Sequence, residues 1–87
     1  MRDDGQVIAR GEHARRLLED AELRVIFEDL EAAIVKNWKS APTVEAREAA
    51  HAELSGVLLF LRELRARVNA GEAAKERMQR ASQTDEE

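Results

Sequence analysis

The stretch Ala50-His51-Ala52-Glu53-Leu54-Ser55-Gly56-Val57-Leu58-Leu59-Phe60-Leu61-Arg62-Glu63-Leu64-Arg65-Ala66-Arg67-Val68 decides the fold of this chain. Ala50, Leu54, Val57, Leu61, Leu64 and Val68 recur at steps of four and three, the heptad spacing by which one helix packs along another. Nothing in the chain alternates with a period of two for more than a few residues, so strands are not expected. Upstream of this helix, Ser40-Ala41-Pro42-Thr43 is the strong central break. Pro42 lacks a backbone donor and disfavours helical geometry at Ala41, which starts the second helix at or near Pro42 or Thr43 with Glu45 in its first turn.

Before that break, Leu23, Ile26, Phe27, Leu30, Ala33, Ile34 and Trp38 follow steps of three and four, one face of a helix over 21–39. Asp20 is its expected N-cap, and Lys36 and Lys39 suit the negative end of its dipole. The expected fold is all-α, an antiparallel two-helix hairpin with a short leading helix over 12–19. Leu54, Val57, Leu61, Leu64 and Val68 are set against Leu23, Phe27, Leu30 and Ile34. By this reading residues 1–10 form a flexible arm interrupted by Gly5 and Gly11, and residues 11–71 are the hairpin domain. Asn69-Ala70-Gly71 reads as a stop, with Gly71 in the left-handed conformation. Residues 72–87 then form a weakly helical to disordered acidic tail, with Met78 its one anchor.

The deciding stretch carries more apolar surface than one seam uses. At about 100° per residue, Leu59 and Phe60 fall outside the heptad stripe, and the run 57–61 is apolar nearly all round. Val25 and Val35 likewise point away from the main stripe of the preceding helix. Burying a large apolar side chain contributes roughly 1.5–3 kcal/mol, whereas ordering a residue costs of order 1.5 kcal/mol. A two-helix unit of this size is therefore marginal alone. Two remedies follow. The hairpin self-associates through Val25, Val35, Trp38, Leu58, Leu59 and Phe60, as a four-helix dimer or a ring. Alternatively, the leading helix folds back with Leu17 and Leu18. Trp38 reads as a packed corner residue, on which Arg47 could stack, or as an exposed aromatic anchor for a partner.

Composition narrows the function. The 87 residues hold 18 acidic and 14 basic side chains, a net charge of −4, which does not suit a protein that coats nucleic acid. Basic residues gather weakly at Arg15 and Arg16 and at Arg62, Arg65 and Arg67, beside Glu12, Glu19 and Glu63. They are the candidate nucleic-acid contacts, with a solvated salt-bridged face as the plainer reading. There is no cysteine, hence no disulfide and no thiolate metal site. No apolar run approaches the roughly 20 residues that span a bilayer, and the N-terminus lacks a signal core, so a cytoplasmic setting and no membrane partner are expected.

Glu48-Ala49-Ala50-His51 has the Glu-x-x-His spacing of di-iron bundles. Both side chains lie well off the seam, so a solvated glutamate and an edge histidine are expected, with no metal and no cofactor. His13 stands among charged residues, and no serine or threonine has a histidine motif to activate it. The four glycines are scattered and make no phosphate loop. An enzyme is not expected.

Gly11 and Ala14 leading to Leu17-Leu18, the break at Asp20, Phe27, Trp38, Arg47-Glu48, the apolar positions from 54 to 64, and Gly71 with Ala73 together resemble a known group. These are small two-helix proteins encoded beside the head and packaging genes of tailed bacteriophages, prophages and gene-transfer particles. The architecture is similar to the oligomerisation region of small terminase subunits, whose hairpins form rings that present viral DNA to a motor. Ala21 stands where those proteins commonly have proline, and residues 1–19 are too short for the helix-turn-helix such subunits usually carry. The resemblance implies a non-enzymatic assembly or DNA-packaging factor in the host cytoplasm. It would form a homo-oligomer, meet a packaging motor or head protein, and touch DNA weakly, non-specifically or only through a partner. A generic protein-interaction adaptor and a ferritin-like di-iron protein are the alternatives.

Overall fold

The computed structural model describes residues 3–85, and these are all-helical apart from short links: α1 (Asp4–Glu19), α2 (Ala21–Ser40) and α3 (Val44–Asp85). No strand occurs among the described residues. Each helix begins at a side-chain cap. The Asp3 carboxylate accepts from the Gly5 N–H at 3.1 Å, Asp20 from Leu23 at 2.8 Å, and the Thr43 hydroxyl from Ala46 at 3.1 Å. At the end of α2, the Ala41 N–H reaches Trp38 O at 3.4 Å and the Ser40 hydroxyl donates to Lys36 O at 3.0 Å, ahead of Pro42. The chain divides into two compact units. One comprises Asp20–Arg62, and the other comprises the residues before Asp20 together with those after Arg62.

In the Asp20–Arg62 unit, the rings of Phe27 and Phe60 lie 5.7 Å apart and tilted by 32°, an aromatic pair worth about 0.5–1.5 kcal/mol beyond its area. Ile34 and Ala50 are buried there, and Leu54, Val57 and Leu61 are half-buried. Leu30, expected in the seam, is exposed. At about 100° per residue it stands roughly 40° to one side of Ile34, with Ile26 farther round, whereas Leu23 and Phe27 stay within about 20°.

The second unit departs from the sequence reading in three ways. First, the expected arm over 1–10 is helical from Asp4 onward, because the Asp3 cap supplies a start; residues 1–2 lie outside the described residues. Second, Gly71 is not a stop. No glycine has a positive φ, and α3 passes through Gly71 to Asp85; of the expected tail, residues 86–87 lie outside the described residues. Third, Leu64 is buried in the unit that contains α1. The seam reading set Leu64 and Val68 against the helix over 21–39, but α2 has 20 residues against 42 in α3, and α1 packs with the far part of α3.

Small residues line the helix contact in this second core. Gly11, Ala14, Gly71 and Ala74 are buried, and a Cβ placed on Gly11 would stand 2.8 Å from Arg67 O and 3.0 Å from Gly71 Cα. The two backbones are thus in direct contact, and the glycines serve close approach rather than a turn. Asp4 pairs with Arg77 at 3.0 Å, Glu12 with Lys75, and Arg15 with Glu72, which makes α1 antiparallel to this part of α3. Met78, the expected anchor, is exposed.

Candidate interaction surface

Apolar side chains left in water are concentrated in the Asp20–Arg62 unit. Val25, Ile26, Leu30, Trp38, Val44, Leu58, Leu59 and Phe60 are all exposed there. Leu59 and Phe60 each keep 53% of their surface accessible, and Val44 keeps 59%. Of the six residues expected at an interface, five are exposed and Val35 is half-buried. Phe60 combines two roles, since one side of its ring meets Phe27 while the rest faces solvent. Ile26 and Leu30 were assigned to the buried stripe and therefore missed as surface. Their angular offset from Ile34 was the available signal.

Trp38 is 47% exposed and borders two clefts. One, of about 180 Å³, is lined by Ile34, Val35, Trp38, Ala50, His51 and Leu54 and is almost wholly apolar. The other, about 320 Å³, is shallower and adds Val44, Arg47 and Glu48 beside Trp38 and His51. Arg47 and Trp38 therefore share a cleft wall. The apolar cleft is sized for a protruding side chain rather than for a drug-sized ligand, whose sites run from about 300 Å³ upward. Glu48 and His51 are both exposed. Among the described residues no group of three or more histidine, aspartate or glutamate side chains could hold a metal ion.

The candidate nucleic-acid arginines divide into those that hold carboxylates and those that stand exposed. Arg15 is bound to Glu72, and that hydrogen bond, followed by the carboxylate's charge, raises its pKa above the ordinary arginine value. Arg67 pairs with Glu63 at 3.2 Å within α3. Arg16, Arg62 and Arg65 are exposed, with Arg62 beside Ser55, Leu58 and Leu59 at a shallow depression. His13 is exposed as well. The Lys75 ammonium lowers the pKa of Glu12 chiefly through its hydrogen bond, and the Asp4 carboxylate raises that of Arg77 in the same way.

No helix among the described residues is long and apolar enough to cross a membrane. No family model, curated protein or solved structure matches this chain.

Proposed function

We propose that the Asp20–Arg62 unit is an antiparallel helical hairpin that self-associates, and that the protein is a non-enzymatic assembly or DNA-packaging factor of a phage-like particle, similar in plan to a small terminase subunit. One observation carries the self-association: eight large apolar side chains stand exposed within this single unit. Burying such a side chain from full exposure contributes roughly 1.5–3 kcal/mol, and with about half of each surface still accessible about half of that is left to gain from a partner. Copies of the hairpin side by side cover them, as in helical bundles.

The packaging role rests on the resemblance of the helical punctuation to small phage head and packaging proteins. A motor or head protein is the corresponding partner. DNA contact, if made, falls to Arg16, Arg62 and Arg65, since Arg15 and Arg67 already hold carboxylates. The test is native mass by light scattering, for the natural chain and for the double variant Leu59→Asp with Phe60→Asp. An oligomer that disperses in the variant supports the reading, and a natural chain that stays monomeric overturns it. A gel shift on linear DNA at low and high salt tests the DNA role, which unchanged DNA migration at low salt would remove.

The apolar cleft beside Trp38 favours a second reading, an adaptor that takes a side chain of another protein's helix. That reading requires a monomer in isolation and a complex only when a partner is added.

A further inference from the structure

A second pattern lies on the outer face of α2. Val25, Glu28, Ala32, Val35 and Lys39 recur at steps of three and four, a heptad stripe well separated from the one through Phe27 and Ile34. Val25, Glu28, Ala32 and Lys39 are exposed and Val35 is half-buried. A shallow depression of about 720 Å³ follows this face, bordered by Glu28, Glu31, Ala32, Val35, Lys36 and Lys39.

The charges on the stripe are ordered. With Arg24 and Glu31 on its other flank, four charges run along the stripe: Glu28 and Asp29 precede its centre, and Lys36 and Lys39 follow it. None of these four forms an ion pair among the described residues, whereas the other unit carries three long-range pairs. Like order along one helix becomes opposite order when a copy is laid against it antiparallel. A two-fold axis between Ala32 and Val35 sets Ala32 on the partner's Val35 and Glu28 on the partner's Lys39. On one flank Asp29 then meets the partner's Lys36. Every contact occurs twice, as a self-complementary two-fold interface requires. A parallel copy sets Glu28 near the partner's Glu28 and Lys39 near the partner's Lys39, so the charges select the antiparallel arrangement.

We infer that this α2 face is a two-fold interface for a second copy of this chain, with Ala32 and Val35 at its centre and Glu28 paired with the partner's Lys39. The inference rests on the self-association proposed above and assigns it a face and a register. This face includes Val25 alone of the eight exposed apolar side chains; Leu58, Leu59 and Phe60 of α3 join such dimers into the larger oligomer, which Leu59→Asp with Phe60→Asp is expected to reduce to the dimer.

Charge reversal on the full chain tests it, with sedimentation equilibrium as the readout and circular dichroism as the check on folding. Glu28→Lys and Lys39→Glu lie on the surface and leave the buried residues intact. Each alone places like charges together twice and is expected to weaken association roughly tenfold. The two combined restore the pairing with its signs exchanged and are expected to recover the natural dissociation constant. Singles that associate as tightly as the natural oligomer overturn this interface while leaving self-association standing. Singles that weaken association without recovery in the double overturn the antiparallel register. A monomeric natural chain overturns self-association and the interface together.

A crosslink provides a second reading on a chain with no cysteine of its own. Under mild oxidation, a mixture of Ala32→Cys and Val35→Cys chains is expected to form more covalent dimer than either variant alone. Preferential crosslinking of Ala32→Cys with itself overturns the antiparallel register.

Discussion

Gly11 and Gly71 hold the backbones of α1 and α3 in direct contact, with a Cβ on Gly71 reaching within 3.2 Å of Gly11 Cα. The reverse placement is tighter still, at 3.0 Å from Gly71 Cα and 2.8 Å from Arg67 O. Backbone atoms cannot swing aside as the end of a side chain can, so any added carbon at Gly11 must push the helices apart.

Gly11→Ala is therefore expected to destabilise the protein by about 1–3 kcal/mol from overpacking, offset in part by the ~1 kcal/mol that alanine gains over glycine in a helix. Gly71→Ala is expected to cost less, since its nearest contact is longer. Urea denaturation of the two variants checks the order. A Gly11→Ala protein as stable as the natural one would mean that the close approach does not contribute.

Gly56 has the opposite environment. A Cβ there meets nothing within 4 Å, and the residue lies inside α3 without a turn to make. Gly56→Ala should raise stability by roughly 0.5–1 kcal/mol through helix propensity alone. The measurement is the urea midpoint at unchanged m-value; a fall in midpoint contradicts the open site.

The Glu12 pair with Lys75 gives the α1 contact a pH dependence of known sign. The folded pKa of Glu12 lies below its ordinary value of 4.5, so between the two values the unfolded chain binds more protons than the folded one. The pair's contribution is whole above pH 4.5 and is lost as pH falls through the lowered value. Arg15 and Arg77 shift upward instead, so their contributions are whole at every ordinary pH and fade only in strong alkali. Protection of the α1 amides, taken as exchange relative to an unstructured chain at the same pH, is expected to fall on acidification below pH 4.5, and Glu12→Gln to flatten part of that response. An identical acid profile in the Gln variant removes Glu12 as a cause. Added salt should loosen α1 as well, since all three ion pairs are partly open to water.

Helix type, the break at Pro42, the Asp20 cap and the apolar surplus around residues 57–61 were all legible in the amino-acid order. Each depends on neighbours within one or two turns, where spacing and backbone chemistry suffice. The exposure of Val25, Leu58 and Leu59 was legible for the same reason, since a helical wheel places them off the stripe. The ion pair that occupies Arg15 was not, because its partner Glu72 is remote in sequence and any of several acids could have served.

Gly11 and Gly71 mark where local reading stops. A glycine in a helical sequence can end the helix, or it can let another backbone touch it, and the residue alone is the same in both cases. Only the pairing of α1 with the far part of α3 selects the second meaning. The same pairing gives residues 4–10 and 72–77 a helical partner and draws Leu64 out of the expected seam. Sequence determined which segments coil and which faces are apolar, because those follow from periodicity and caps. Tertiary structure decided which helix covers which, because that choice depends on backbone proximity and remote charge partners that no local pattern encodes.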